Sequence, residues 1–437
     1  MKFAKLALIP IVATQFFIQM EPAHSAPLYS FSSHTFTSCG ASGRNGPTGT
    51  QCINTYANAW SRNSSYFIVG ANGIQNWTAP ATGSYQVTAA GAVGAGGLQT
   101  KGLGAIIRAT VTLTQGAQYK ILIGQPGSNG NVALAGTSGG GGGGTFFTDA
   151  SNNPIVVAGG GGGSHNSTFN YPLIANGQTT TSGAASSDST GSAGTNGGGG
   201  GGSSAGYGSG GGGLTGNGTV SYYCSNSQGY SFTNGGTGGT SCATYLAHGG
   251  FGGGGGTHGY SGGGAGGGGY SGGGGSGGGG ANGGGGGSFI IAGATNLATS
   301  NGEYAGSSVG VTNLNSYNGS SGSATFASGY LIIQLLLDPV SVQVSGSSGY
   351  NTGTYRTVVQ IQATLSTSGG KVTFYARNKI IPNCNKIYTA TTVATCNWRP
   401  SSRGTIEVFA KATPDNGASA NPSPITYFQI SNRVLKR

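Results

Sequence analysis

The sequence predicts an all-β protein. Short alternating segments rich in Val, Ile, Tyr and Phe are separated by Gly, Pro and Asn turns, and no segment has the apolar repeat of an amphipathic helix. The second observation is the glycine content: 94 of the 437 residues are glycine, concentrated in consecutive blocks between residues 139 and 287. Only 6% of the residues are charged, against roughly 25% in an ordinary globular protein.

The N-terminus has the features of a secretion signal. Lys2 and Lys5 precede an apolar stretch at residues 6–17, and Ala23-His24-Ser25 provides small residues for cleavage after Ser25. A retained membrane anchor is the alternative, but the stretch is shorter than the ~20 apolar residues of a spanning helix. We therefore expect removal of residues 1–25 and export to the cell surface, the extracellular space or the periplasm, with no membrane span in the mature chain.

Six cysteines follow the signal in three local pairs. These are Cys39 with Cys52, Cys224 with Cys242, and Cys384 with Cys396. In an exported chain such pairs favour disulfides, each stabilising a small loop by about 3 kcal/mol. Zinc binding is the alternative, but no pair has the two-to-four-residue spacing of a zinc finger.

Three strands are expected early in the chain, at residues 85–92, 105–113 and 118–123. The first alternates apolar and polar residues and follows a Pro and Gly turn. The second and third are separated by the turn Gln115-Gly116-Ala117.

Several motifs in this region resemble one known module. They are Cys39-Gly-Ala-Ser-Gly with Gly46-Pro-Thr and Gln51-Cys52, Trp77-x-x-Pro-Ala-Thr-x-x-Tyr85, Ile121-Leu-Ile-Gly-Gln-x-Gly127, glycine blocks at 139–144, 159–163 and 252–256, and a closing Tyr330-Leu-Ile-Ile333. Their order over residues 36–337 is similar to the glycine-rich extracellular domain of the anaplastic lymphoma kinase and leukocyte tyrosine kinase receptors.

The resemblance implies a tumour-necrosis-factor-like, jelly-roll β-sandwich with an inserted bundle of polyglycine helices in a domain at residues 26–337. It does not imply a kinase, because the chain contains no Val-Ala-x-Lys, His-Arg-Asp or Asp-Phe-Gly motif. A receptor tyrosine kinase label would be carried over from the shared module alone.

The glycine blocks at about 139–287 have two physical interpretations. They form either a solvated flexible linker or extended helices that bond one another, because an extended glycine helix makes no hydrogen bonds within itself. Six residues at 139–144 would then span roughly 19 Å. Strand-like segments on both sides of the blocks favour the ordered bundle.

Serines in the glycine blocks match a hydrolase pattern only by composition. Gly-x-Ser-x-Gly occurs at Ser261, Ser271 and Ser276, but nearly any serine in such a tract matches it. None has the strand-to-helix turn that makes such a serine a nucleophile. We expect no catalytic residue.

Metal sites are not expected either. His248 and His258 have no acidic or cysteine ligand nearby in sequence. Calcium-binding glycine repeats need an aspartate in each repeat, whereas Asp149, Asp188 and Glu303 are the only acids of residues 26–337. The sequence predicts no cofactor.

Aromatic residues are the candidates for recognition in the glycine region. Tyr207, Phe251, Tyr260 and Tyr270 punctuate the blocks, where rigid aromatic side chains suit contact with another surface. The alternative is that they cap or wedge the bundle.

The last hundred residues, 338–437, are predicted to form a second domain. Six short strands are expected, at residues 340–344, 355–365, 371–376, 391–398, 404–412 and 425–430. Gly370-Lys-Val-Thr-Phe-Tyr-Ala376, Ile381-Pro-Asn-Cys384 and Ala394-Thr-Cys396-Asn-Trp398 resemble the immunoglobulin-like repeats of bacterial surface proteins, which implies a β-sandwich and a bacterial source.

Positive charge is concentrated in this second domain. Residues 26–337 carry five basic and three acidic side chains, a net of +2, whereas residues 338–437 carry eleven and three, a net of +8. Polyanions such as acidic glycans are its natural partners, and a merely soluble surface is the alternative.

Together these features predict an exported, non-enzymatic surface or extracellular protein with an adhesive or structural role, binding a cell-surface glycan or protein and no nucleic acid. The alternative is a receptor-like module that binds a specific protein ligand through its β-sandwich.

Overall fold

A computed structural model describes residues 27–96, 102–130, 138–165, 172–242, 246–259, 262–278, 280–300, 328–336, 343–346, 351–365, 369–414 and 422–431. Strands account for 33% of the chain and helices for 5%, which confirms the all-β prediction. The predicted signal peptide lies outside the described residues, as do Tyr260 and Ser261.

Twenty strands lie within the described residues. In chain order they are β1 (Ser33–Phe36), β2 (Phe67–Val69), β3 (Gln75–Thr78), β4 (Gly83–Ala90), β5 (Ile106–Leu113), β6 (Gln118–Leu122), β7 (Thr145–Asp149), β8 (Pro154–Ala158), β9 (Phe289–Ile290), β10 (Thr295–Ser300), β11 (Tyr330–Leu336), β12 (Gln343–Gly346), β13 (Thr352–Thr354), β14 (Val359–Thr364), β15 (Gly370–Ala376), β16 (Lys379–Ile380), β17 (Ile387–Thr389), β18 (Val393–Trp398), β19 (Gly404–Pro414) and β20 (Thr426–Ser431). Two short helices, α1 (Gly49–Thr55) and α2 (Pro172–Ala175), and single 3₁₀ turns at Trp60–Arg62 and Phe232–Asn234 accompany them.

The first eleven strands form two antiparallel sheets. One has the order β1-β11-β4-β5-β10 and the other β2-β3-β6-β7-β8-β9. Strand β4 directs Tyr85, Val87 and Ala89 into the core between the sheets, and Thr88 and Ala90 on its opposite face are buried as well. The strands predicted at 85–92, 105–113 and 118–123 are confirmed as β4, β5 and β6.

A common core joins these two sheets into a sandwich. Val87 and Ile333 of the first sheet belong to the same buried cluster as Ile121, Phe147 and Val156 of the second. Each such fully buried side chain contributes about 1.5–3 kcal/mol relative to its exposed state. Two sheets packed face to face are the layer arrangement that all-β composition requires.

Helix α1 is an element that the sequence analysis did not predict. Thr48 caps it by accepting a hydrogen bond from the Gln51 amide, and the Gln51 side chain accepts one from the Thr48 amide. This reciprocal capping box is the sequence signal that identifies the helix. The helix buries Cys52, which is bonded to Cys39.

The glycine-rich region leaves the second sheet and returns to it. Strands β8 and β9 are antiparallel neighbours, with Val157 opposite Phe289, although residues 159–288 lie between them. A second apolar cluster covers the outer face of this sheet, joining Phe146 and Val157 to Phe232 and Phe251 of the glycine-rich region. The region is therefore packed onto the sandwich.

The last nine strands form two further sheets. One has the order β12-β14-β18 and the other β13-β20-β19-β15-β16, with β17 also paired to β15. Side chains from both sheets share one core, including Ile361, Val372, Phe374, Val408 and Phe428. The predicted strand 355–365 begins only at Val359, because a turn intervenes in which the Thr357 amide donates to the Thr354 carbonyl.

Candidate functional site

The backbone of the glycine segments forms a hydrogen-bonded array. We call residues 91–95, 139–144, 159–163, 197–202, 208–213, 252–256, 262–278 and 283–287 the glycine lattice. These segments belong to no helix or strand, yet their amides donate to carbonyls of other segments. Backbone groups buried in this way avoid the cost of an unpaired polar atom.

The bonding partners within the lattice repeat every three residues. In one segment, Gly139 and Gly142 donate to Ser164 and Gly161, Gly140 and Gly143 donate to Ser128 and Gln125, and Gly141 and Gly144 donate to Gly255 and Gly252. In another, Ala265 and Gly268 donate to Gly139 and Gly142, Gly266 and Gly269 to Ser209 and Gly212, and Gly267 and Tyr270 to Gly284 and Gly287. The amides of each of these two segments therefore reach three neighbouring segments in rotation, and the segment carbonyls accept hydrogen bonds from further neighbours.

The glycines in the interior of the lattice have no room for a side chain. A Cβ at Gly141 would lie inside the van der Waals radius of the Gly266 carbonyl oxygen, and one at Gly267 would clash with that of Gly160. Chemistry that needs side chains must consequently be at the margins of the lattice, where larger residues are accommodated.

A cluster of aromatic side chains lies at such an exposed margin. We call Tyr207, Tyr222, Tyr223 and His258 the tyrosine cluster. The Tyr207 ring stacks on Tyr223 at 4.9 Å between centroids and lies 4.8 Å from His258, and Tyr222 meets Tyr223 edge to face at 4.7 Å. Tyr222 is 72% exposed and Tyr223 59%.

The backbone beneath the tyrosine cluster is fixed to the lattice. The Ser221 amide donates to the Ser209 hydroxyl of the lattice at 3.0 Å, and the Tyr222 amide donates at 2.9 Å to the carbonyl of Ser203, which directly follows the lattice segment 197–202. Cys224, which directly follows Tyr223, forms a disulfide with Cys242. The exposed rings therefore project from an ordered backbone, which reduces the entropy lost when they bind.

The chain is partly similar to one curated receptor. Over 119 residues it is 38% identical to the leukocyte tyrosine kinase receptor of Mus musculus, a match that covers 25% of this chain and 13% of the receptor. The match supports the resemblance to the extracellular region of that receptor. No family model matches the sequence.

The disulfides are a further observation that fits an extracellular or exported protein. The structure joins all three predicted cysteine pairs, with Cα–Cα separations of 4.9, 5.1 and 5.7 Å, and disulfides persist in oxidising compartments. In the described ranges, no helix has the length and apolar character that crossing a membrane requires.

The four aromatic residues proposed from sequence have different environments. Tyr207 lies in the tyrosine cluster, whereas Phe251 is fully buried and packs against the outer face of the second sheet. Surface recognition is therefore wrong for Phe251, because its ring has no solvent-exposed face. Tyr270 is half-buried beside Phe289, with ring centroids 4.8 Å apart, and Tyr260 lies outside the described residues.

Sequence reasoning missed Tyr222 and Tyr223. Their signal is the pair of adjacent tyrosines before Cys224, since a disulfide next to consecutive large residues holds them in place on a surface loop. The pair lies outside the consecutive glycine blocks.

The serines with the hydrolase pattern have structural partners. Ser271 accepts a hydrogen bond from the Gly197 amide, and Ser276 donates to backbone carbonyls of Gly264 and Ala281. Both side chains are fully buried. Their hydroxyls therefore complete the backbone bonding of the lattice.

The histidines and acids are likewise held by neighbours. Burial, with a smaller effect of Arg44, lowers the pKa of His248, whose Nδ1 accepts from the Ser241 amide at 2.7 Å. Asp188 accepts from the Gly277 amide and from the Thr190 hydroxyl. Among the described residues no three His, Cys, Asp or Glu side chains are grouped as a metal site would need.

Proposed function

We propose that the chain is an exported, non-enzymatic protein of the cell surface or extracellular space that adheres to another surface. The observation that carries the proposal is the tyrosine cluster, in which the rings of Tyr222 and Tyr223 are exposed to solvent on an ordered backbone. Exposed tyrosines provide large rigid contact area at low entropic cost. The proposed partner is a cell-surface glycan or protein.

In this proposal the glycine lattice is the rigid support of the contact surface. We infer that its segments are polyglycine helices with three residues per turn, since such a helix directs successive amides to three neighbours in rotation. We also infer a jelly-roll domain at residues 26–337 and an immunoglobulin-like domain at residues 338–437. Export directed by the signal at residues 1–25 would place both domains outside the cytoplasm.

Binding of the mature chain to a glycan array and to intact cells tests this function. We expect the double variant Tyr222→Ser with Tyr223→Ser to lose most of the binding, because both exposed rings are removed. Ile68→Ser is the control, since Ile68 is an exposed apolar side chain of the sandwich, 53% accessible. Equal binding by the double variant and the control would refute the assigned surface, and turnover of a substrate would refute the non-enzymatic assignment.

The alternative function is a receptor-like module that binds one protein ligand through the N-terminal sandwich. The partial match to a receptor favours it. Capture of a single protein from the native extracellular medium, unaffected by loss of Tyr222 and Tyr223, would support this alternative over adhesion through the tyrosine cluster.

A further inference from the structure

The outer face of the six-stranded C-terminal sheet differs from an ordinary solvated strand surface. Alternation along β15 and β19 buries Phe374 and Val408 in the core and directs their neighbours outward. The cross-strand register places Tyr375 opposite Phe409. The two rings are stacked with nearly parallel planes, at an interplanar angle of 3° and a centroid separation of 4.8 Å.

Lysine side chains flank this aromatic pair. Lys411 lies with its ammonium 5.4 Å from the centroid of the Tyr375 ring. Lys371, on the same face of β15, is paired with Tyr388 of β17. Both lysines are exposed. The aromatic pair and both lysines therefore lie on the same outer face of the sheet.

A further tyrosine extends the surface across β20. Tyr427 is opposite Glu407 of β19 and is 55% exposed. We call Lys371, Tyr375, Phe409, Lys411 and Tyr427 the cationic face. Tyr427 is exposed and the Tyr375 and Phe409 rings are half-buried, so a partner that covers the remaining accessible area of the three rings gains free energy on binding.

The net charge of this part of the chain indicates that the partner is negatively charged. Within the described residues from 343 to 431 there are eight Lys and Arg side chains and one acid, Glu407. Such an excess attracts polyanions at long range. Lys371, Lys411 and Glu407 lie on the same face of the sheet as the three rings. The density of positive charge on this face is therefore moderate.

We propose that the cationic face binds an acidic polysaccharide of the polyuronate type. A pyranose ring offers a flat face of C–H groups for the aromatic rings, and one carboxylate per sugar matches the lysines. Glu407 disfavours a polymer with several charges per unit, because like charges in proximity repel. The site is separate from the tyrosine cluster and does not depend on its role.

Binding of the mature full-length chain to polygalacturonate, with dextran as the neutral polymer, tests the proposal. We expect the double variant Lys371→Gln with Lys411→Gln to bind about tenfold more weakly, the combined effect of two exposed charge interactions. The charge-matched control Arg399→Gln with Arg403→Gln removes two exposed cations off this face. We expect the control to change affinity less than about threefold.

A second variant tests the aromatic contribution. Tyr427→Ser leaves the charge unchanged and is expected to weaken binding to polygalacturonate by about threefold to tenfold, a typical effect of removing one stacked ring. Far-UV circular dichroism would verify that each variant is folded. The Tyr222→Ser with Tyr223→Ser variant should bind polygalacturonate as the unmodified chain does.

Several results would overturn the proposal. They are no binding to polygalacturonate at low salt, equal losses in the two double-charge variants, and unchanged affinity in Tyr427→Ser. Single-stranded poly(dT) bound as tightly as polygalacturonate would overturn the polysaccharide assignment, because density of charge would then suffice. Equal binding to dextran would overturn the role of the lysines.

Discussion

The substitution Gly267→Ala tests whether the glycine lattice is a bonded structure. A Cβ at this position would clash with the carbonyl oxygen of Gly160, which is backbone and cannot rotate away. Three hydrogen bonds meet there: Gly267 donates to Gly284 at 2.9 Å, Gly273 donates to Gly267 at 2.8 Å, and Gly160 donates to Gly268 at 2.7 Å. Relief of the clash must displace a segment that makes them.

The magnitude follows from these contacts. Overpacking of a close-packed interior costs about 1–3 kcal/mol, and each backbone hydrogen bond weakened costs about 1 kcal/mol. Replacement of glycine by alanine also restricts the unfolded chain, which offsets about 0.4–1 kcal/mol. We therefore expect the lattice to lose about 2–5 kcal/mol of stability.

Hydrogen exchange measured by mass spectrometry over peptides from 252 to 287 is the assay. In the unmodified chain these amides should exchange slowly, and in Gly267→Ala their protection should fall. Gly49→Ala is the control, because a Cβ there meets no atom within 4 Å and Gly49 begins helix α1. Full exchange in the unmodified chain, or identical protection in both variants, would refute the bonded lattice.

Three further predictions concern stability. Phe251→Ala should cost about 3–5 kcal/mol in urea unfolding, whereas the exposed Tyr222→Ser should change stability by less than about 0.5 kcal/mol. Removal of the disulfide by Cys384→Ala with Cys396→Ala should destabilise the C-terminal sandwich by about 3 kcal/mol, seen as faster exchange in residues 369–414 and unchanged exchange in the glycine lattice. Burial lowers the pKa of His34 to about 4 from its usual 6.5. The stability that depends on neutral His34 is therefore complete above pH 6.5 and is lost as the pH falls toward 4. The loss, up to about 3 kcal/mol, should be smaller in His34→Phe.

Each of these predictions has a clear contradictory result. A mild effect of Phe251→Ala would mean that the lattice does not rest on the second sheet. Lost protection in the lattice of the double alanine variant would mean that the two parts of the chain unfold together. The same acid destabilisation with and without His34 would assign the pH dependence to other groups, of which the Asp and Glu side chains are the first to test.

The environment of His34 explains the direction of its titration. Its ring packs edge-on against Phe36, Tyr56 and Trp60, and its Nε2 is buried without a hydrogen-bond partner in the part of the chain that the structure describes. Asn58 is within hydrogen-bond distance of Nδ1, at 3.1 Å. A charged imidazolium would therefore be poorly solvated, and the unfolded chain binds the proton more readily than the folded one.

Strands were the most predictable part of this fold. The segment predicted at 118–123 is observed as Gln118–Leu122, because alternating side chains and a glycine turn both act within a few residues of the chain. Helix α1 was readable from Thr48 and Gln51 but is too short for an apolar repeat to reveal it. Local signals thus define local elements.

The long-range arrangement was less predictable. Nothing near Phe289 indicates that β9 pairs with β8 across residues 159–288, since that pairing depends on the whole intervening lattice. The burial of Phe251 was also unreadable, because glycine neighbours provide no periodic pattern that distinguishes an inward position from an outward one. Its burial follows from the apolar outer face of the second sheet, where Phe146 and Leu122 require a cover.

The same physical property explains both the rigidity and the chemical simplicity of the lattice. Close approach of backbones satisfies the buried amides only if Cβ atoms are absent, so interior positions such as Gly141 can carry no reactive group. Recognition by this region must then use the few residues at its margin. Tyr222 and Tyr223 meet that condition, since their backbone is bonded to the lattice while their rings remain in solvent. The lattice therefore fixes the positions of the two rings and leaves their surfaces accessible to a partner.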